Sequence, residues 1–191
     1  MFDQTIEITG ASRARRIKRR FAAVITIEDP ATPTSRRVRF HRNPHPAHLV
    51  LVFEDLDKVH ESVITASESQ VASALEFARA NCVGPLLIHC HAGIARSTAV
   101  ALAIIADRIG ADKEGLAIAE LLKLQPRAVP NLLVVTHADR LLGRGGKLLK
   151  TVKDWDSSAA WNRRRRQVNE EAVLEYYERA GPSWATLNKA R

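Results

Sequence analysis

The stretch IHCHAGIARST at residues 88–98 sets a thiol, Cys90, and a guanidinium, Arg96, six positions apart (96 − 90) around a loop containing Gly93. Residues 85–88 (PLLI) read as a buried strand and residues 97–109 as a helix, so the loop joins a strand end to a helix start. At such a junction, free backbone N–H groups and the positive end of the helix dipole favour an anion. The N–H groups of His91, Ala92, Gly93, Ile94, Ala95 and Arg96 can curl into a nest around phosphate oxygens, with Gly93 taking a turn that a larger residue resists. The Arg96 fork matches phosphate bidentately, so it both holds the group and stabilises charge on it in a transition state. Cys90 then lies beneath the phosphorus, where a helix N-terminus and nearby cations favour a thiolate nucleophile. The hydroxyl of Ser97 can donate to that sulfur and help it leave again.

HCHAGIARST resembles the signature loop of the cysteine-dependent protein tyrosine phosphatases, in which His-Cys is followed by five residues, Arg, and Ser or Thr. The resemblance implies a hydrolase of phosphate monoesters that works through a phosphocysteine intermediate, without metal or cofactor. Its implied substrates are proteins bearing phosphotyrosine, or phosphoserine and phosphothreonine as well. Sulfurtransferases also place a cysteine in an anion-binding loop, but Ser97-Thr98 opening a long Ala/Ile/Leu helix fits the phosphatase pattern better. In the resembling family the histidine before the nucleophile, here His89, orients the loop and favours the thiolate; as a residue type it is equally a satisfied core histidine. Asn131, in the element RAVPN, matches a Pro-Asn segment whose asparagine braces the loop, and is equally a plain helix N-cap. His91 either biases the mouth of the loop toward more anionic substrates or faces solvent.

Thiolate attack expels an alkoxide or phenoxide, which needs a proton from a general acid on the far side of the phosphate. In the resembling family this is an aspartate some thirty-odd residues before the nucleophile, on a loop just after a core strand. Asp55 lies 35 residues before Cys90 (90 − 55) and Asp57 lies 33 before it (90 − 57). Spacing alone slightly favours Asp57. However, Phe53-Glu54-Asp55-Leu56 follows a strand directly and resembles a Phe-x-Asp-Ile/Leu element of some compact bacterial phosphatases, which makes Asp55 the expected acid and Asp57 the alternative.

These residues need a frame. Residues 21–27 (FAAVITI), 48–53 (HLVLVF) and 85–88 read as three core strands, with a helix over 67–81 that aligns Val71, Ala74, Leu75 and Ala78. After the signature helix, Asp112 is expected to cap a helix reaching Leu124, and residues 131–142 form another, ended by Gly143. Strands alternating with helices imply an α/β fold: a central, mainly parallel sheet flanked by helices, similar to the compact dual-specificity phosphatases. At 191 residues the chain fits one domain, read as a phosphatase domain over 1–150 and a basic, helix-prone extension over 151–191.

The net charge of +8 is concentrated at residues 13–20 (RARRIKRR) and 163–166 (RRRR). Each block reads as a solvated helix face or tail before it reads as a patch for an acidic partner. Nucleic acid is not indicated, because the aromatic residues are scattered rather than interleaved with the basic ones. No membrane span or secretory signal is recognisable, and cytoplasmic localisation is the expectation. Neither a disulfide framework nor a zinc site is suggested by two cysteines, and Cys82 reads as inert core. Two further functions stay open. One is a phosphoinositide or inositol phosphate phosphatase, which the basic surface favours and the absence of Lys or Arg inside the loop opposes. The other is a noncatalytic phosphate-binding adaptor.

Overall fold

The computed structural model describes residues 4–180. Strands β1 (Ile6–Gly10), β2 (Ala23–Glu28), β3 (Ala47–Val52) and β4 (Leu86–Cys90) pair in parallel in the order β1-β4-β2-β3. The α/β expectation is met by this wholly parallel sheet with helices on its faces. Period-two alternation sends Ile25 and Ile27 of β2, and Leu86, Ile88 and Cys90 of β4, into the main core. Val24 and Leu87 point the other way, onto Ala14 and Ile17 of the short helix α1 (Ala11–Ile17). Strand β1 was not among the expected three. Its Ile6 and Ile8 do alternate into the core, but Glu7 faces outward to Arg13, so the segment reads as charge alternation rather than as an apolar run.

On the main-core side lie α2 (Glu68–Ala80), α3 (Arg96–Ile109), α4 (Glu114–Leu124), α5 (Leu132–Leu141) and α6 (Lys147–Ser157). The expected face of α2, with Val71, Ala74, Leu75 and Ala78, is the buried one, and Ser67 and Gln70 close a capping box at its start. Residues 96–106 of α3 are all buried, as expected of a helix apolar on every side. Asp112 does not cap α4: it takes a left-handed conformation (φ 63°) and pairs with Lys147, and the helix begins two residues later with no side-chain cap. Asn131 does cap α5, accepting from Val134 N–H at 3.0 Å.

The last helix, α7 (Ala160–Ala180), follows α6 and packs on it. The expected division at residue 150 falls within α6, whose Leu148 and Val152 both belong to the main core. The amino-terminal basic block is not merely solvated. Arg15 and Lys18 hold the carbonyls of Arg36 and Arg39, Arg19 reaches those of Pro44 and Arg42 at 3.1 Å, and Lys18 and Arg19 lie over the Phe40 ring. Cys82 is exposed, contrary to the core reading. It precedes β4 whereas Cys90 ends it, so the strand's length separates the two thiols, beyond disulfide reach. No helix among the described residues is long and apolar enough to cross a membrane.

Candidate active site

Strand β4 ends at Cys90 and α3 begins at Arg96, so the intervening turn sits at the carboxyl end of a central parallel strand, where such sheets carry their sites. Four carbonyls of this turn are bonded to groups outside it or to the helix that follows. His91 C=O accepts from Ala11 N–H (3.1 Å), Gly93 C=O from Gln125 Nε2 (3.0 Å), Ile94 C=O from Val129 N–H (2.8 Å), and Ala95 C=O from the Thr98 hydroxyl (2.8 Å) and Asn131 N–H (3.4 Å). Peptide units held by outward carbonyls leave their N–H groups to the other side, a geometry in which an anion can be received. Helix α3 has no side-chain N-cap, so its first N–H groups can join them.

Gly93 has φ 76°, and a Cβ there would lie 2.4 Å from the Thr9 carbonyl carbon and 2.6 Å from Gly10 N. Gly10 is also closely approached, since a Cβ there would be 2.9 Å from His91 O. Two glycines thus let the end of β1 and the loop touch backbone to backbone.

Cys90 is 3% exposed at the floor of the loop. Two donors reach its Sγ, the Gly93 N–H and the Ser97 hydroxyl, each at 3.2 Å. His89 points to the opposite side of the sheet, where its Nε2 lies 2.9 Å from Thr26 Oγ1, itself 2.8 Å from His48 Nε2. Burial pushes both imidazoles down to about 4, so at neutral pH they carry no charge. His89 is therefore an uncharged, hydrogen-bonded core histidine that supplies no cation to the sulfur, with its Nδ1 3.5 Å from Cys90 C=O. His91 is exposed at the mouth.

Arg96 is 4% exposed, with Nη1 donating to Phe53 C=O at 2.8 Å and Nη2 paired with Asp29 at 2.7 Å, while its buried Nε has no partner. Asp29, directly after β2, was missed in the sequence; its place at the carboxyl end of a strand beside β4 is the signal that marks it. Glu54, also missed, is 6% exposed and accepts from the Tyr177 hydroxyl at 3.0 Å. Burial and the neighbouring Asp29 charge raise it to about 7 against the opposing pull of Arg96.

Asp55 and Asp57 part company. Asp55 lines the same cavity of about 220 Å³ as Cys90, Arg96, Asp29 and Glu54. Burial raises its carboxyl above the ordinary range although Arg96 and a hydrogen bond from Asn131 Nδ2 (2.9 Å) favour the charged form. Asp57 turns away, accepting from Leu132 N–H at 2.6 Å and pairing with Arg166 at 2.9 Å. Asn131 combines both of its expected roles in altered form. It caps α5, and its Nδ2 braces the segment carrying Asp55 through Asp55 Oδ1 and Leu56 C=O, whereas only its backbone touches the loop. Arg127 lies outside the cavity, over the Trp161 ring. The cavity's remaining wall is α7, through Arg165, Asn169 and Val173, which sequence reasoning did not bring to the site.

By sequence, no family model and no curated protein matches the chain. By structure, it is similar to Tk-PTP in its active form (TM-score 0.53, 18% identity, covering 75% of this chain and 95% of that one). It is also similar to human DUSP28 (TM-score 0.51, 18% identity, 72% and 91% covered). A third likeness is to a human tyrosine phosphatase-like serine/threonine/tyrosine-interacting protein (TM-score 0.52, 18% identity, 70% and 84% covered). The chain thus has the fold of the tyrosine and dual-specificity phosphatase-like proteins.

Proposed function

We propose that this protein hydrolyses phosphate monoesters on proteins by cysteine-based catalysis. The observation that carries this reading is the loop itself: carbonyls bonded outward, and a sulfur at the floor that accepts from Gly93 and Ser97. In the proposed reaction the Cys90 thiolate attacks phosphorus, the P–S bond forms as the P–O bond to the leaving group breaks, and Asp55 gives its proton to the departing oxygen. Water then attacks the phosphocysteine and passes a proton to Asp55. The P–S bond breaks, inorganic phosphate leaves and the Ser97 hydroxyl steadies the returning thiolate. The unpartnered Nε of Arg96 is a donor waiting for a phosphate oxygen, and the loop N–H groups meet the negative charge on the others. A thiol nucleophile needs a compartment that keeps it reduced, so the proposed location is the cytoplasm.

The test is hydrolysis of an aryl phosphate in the presence of EDTA, with acid quenching and peptide mapping. The expected result is turnover that chelation leaves intact and phosphate trapped on the peptide containing Cys90. Absence of hydrolysis with tight phosphopeptide binding would favour the adaptor reading instead. One observation supports a more anionic substrate: Arg165 brings a second cation into a cavity whose loop supplies only Arg96. A panel of phosphotyrosyl, phosphoseryl and inositol phosphate substrates decides between these, with preference for the last reversing the protein-substrate assignment.

The raised pKa of Glu54 beside the cavity predicts a pH dependence. Below about 7, Glu54 is uncharged beside Arg96; above it, a carboxylate forms there and competes with the incoming phosphate for the guanidinium. On a substrate with a good leaving group, which does not need Asp55's proton, kcat/KM is expected to fall as pH rises through about 7, and Glu54→Gln is expected to flatten that fall. The substrate's own ionisation is common to both enzymes and cancels in the ratio. Parallel profiles for wild type and Glu54→Gln would remove Glu54 from the explanation.

A further inference from the structure

We propose that α7 is a positioning clamp for the acid-bearing segment: Arg166, Asn169 and Tyr177 lie along one helical stripe and hold residues 54–57 so that Asp55 stays in the Cys90 cavity. The proposal rests on the phosphatase reading above. The stripe steps by three, then eight residues (169 − 166 and 177 − 169), a spacing that keeps side chains on one face of a helix. Each member grips a different residue of the segment. Arg166 pairs with Asp57 at 2.9 Å, Asn169 Nδ2 donates to Asp55 C=O, and the Tyr177 hydroxyl donates to Glu54 at 3.0 Å. The fourth residue, Leu56, packs with Val63 and Tyr177, against which Val173 and Leu174 also lie. The segment directly follows β3, which forms an edge of the sheet and gives it no strand partner on that side.

Arg166 extends the grip. Its guanidinium also binds Asp156 of α6 at 2.8 Å and the Pro130 carbonyl at 2.9 Å, next to Asn131, which itself holds Asp55. One cation therefore ties the acid segment, α6 and the Asn131 brace together. A segment held by hydrogen bonds from three directions keeps a proton donor within reach of a leaving oxygen, where a misplacement of about 1 Å can cost a hundredfold in rate.

The test uses the full chain with Asn169→Ala and Tyr177→Phe, since Arg166 variants risk unfolding. Turnover is compared on two aryl phosphates, one with a poor and one with a good leaving group. For Asn169→Ala the poor-to-good ratio is expected to fall roughly tenfold, a fraction of the ~10²–10⁴ that a positioned acid supplies. In an Asp55→Asn background the same substitution is expected to add nothing to that ratio. Equal losses on both substrates, or effects that multiply in the double variant, would overturn the clamp. A readout independent of catalysis accompanies this: the Glu54 amide, bonded to Ile64 C=O at 2.8 Å, is expected to exchange hydrogen faster in both variants. Unchanged exchange in both also overturns the proposal, whereas a wild type without turnover but with faster variant exchange rejects only the phosphatase reading.

Discussion

Replacing Cys90 with serine is expected to lower turnover by about four to six orders of magnitude, the scale lost when a covalent hydrolase is deprived of its nucleophile. The two donors at 3.2 Å from Sγ are arranged for an anion that sulfur forms readily and a serine hydroxyl does not. Serine therefore presents a neutral, weakly nucleophilic oxygen to the phosphorus. The remainder of the cradle stays in place, because its outward carbonyls are bonded to Ala11, Gln125, Val129 and Asn131, none of which depends on the sulfur. Binding of a phosphopeptide should thus persist while its hydrolysis stops. Kinetic assay beside calorimetric titration measures both properties. Retained turnover in Cys90→Ser would exclude the phosphocysteine route, and loss of binding together with turnover would mean that the substitution has disturbed the nest itself.

The loop was legible because its chemistry is written contiguously: Cys90, Gly93, Arg96 and Ser97 lie within one turn, and neighbouring strand and helix signals agree on its geometry. The helix α2 was legible because its buried residues repeat at helical spacing and its capping box is local. What escaped reading is what the sheet and α7 assemble from far apart. Asp29 meets Arg96 across 67 positions (96 − 29), and nothing local to Asp29-Pro30 distinguishes it from an ordinary turn. Helix α7 escaped for a different reason. The face it turns to the site carries Arg166, Asn169, Val173 and Tyr177, a mostly polar stripe that a search for apolar periodicity passes over, so its run of four arginines reads as solvated. Two of those four, Arg165 and Arg166, are partly buried at the site.

The same long-range contacts separate the two candidate acids, and substitution of each should have a different signature. Asp55→Asn is expected to reduce kcat about a hundredfold or more on a substrate with a poor leaving group and far less on one with a good leaving group, because only the former needs the proton. Its raised carboxyl keeps a proton to higher pH than an ordinary aspartate, which suits donation, and the asparagine keeps the acceptor that Asn131 Nδ2 uses. Asp57→Asn is expected to act first on stability. It leaves Arg166 with Asp156 and Pro130 but without one carboxylate, a loss on the order of 1–3 kcal/mol read as a lower Tm. Since Asp57 is also an anchor of the clamp, its substitution should change the leaving-group ratio on the scale of Asn169→Ala, well short of Asp55→Asn. A selective hundredfold loss on the poor leaving group in Asp57→Asn, with Asp55→Asn near wild type, would exchange the two roles. It would also require the Asp57–Arg166 pair to open during turnover, since that pair and the Leu132 N–H hold Asp57 away from the Cys90 cavity.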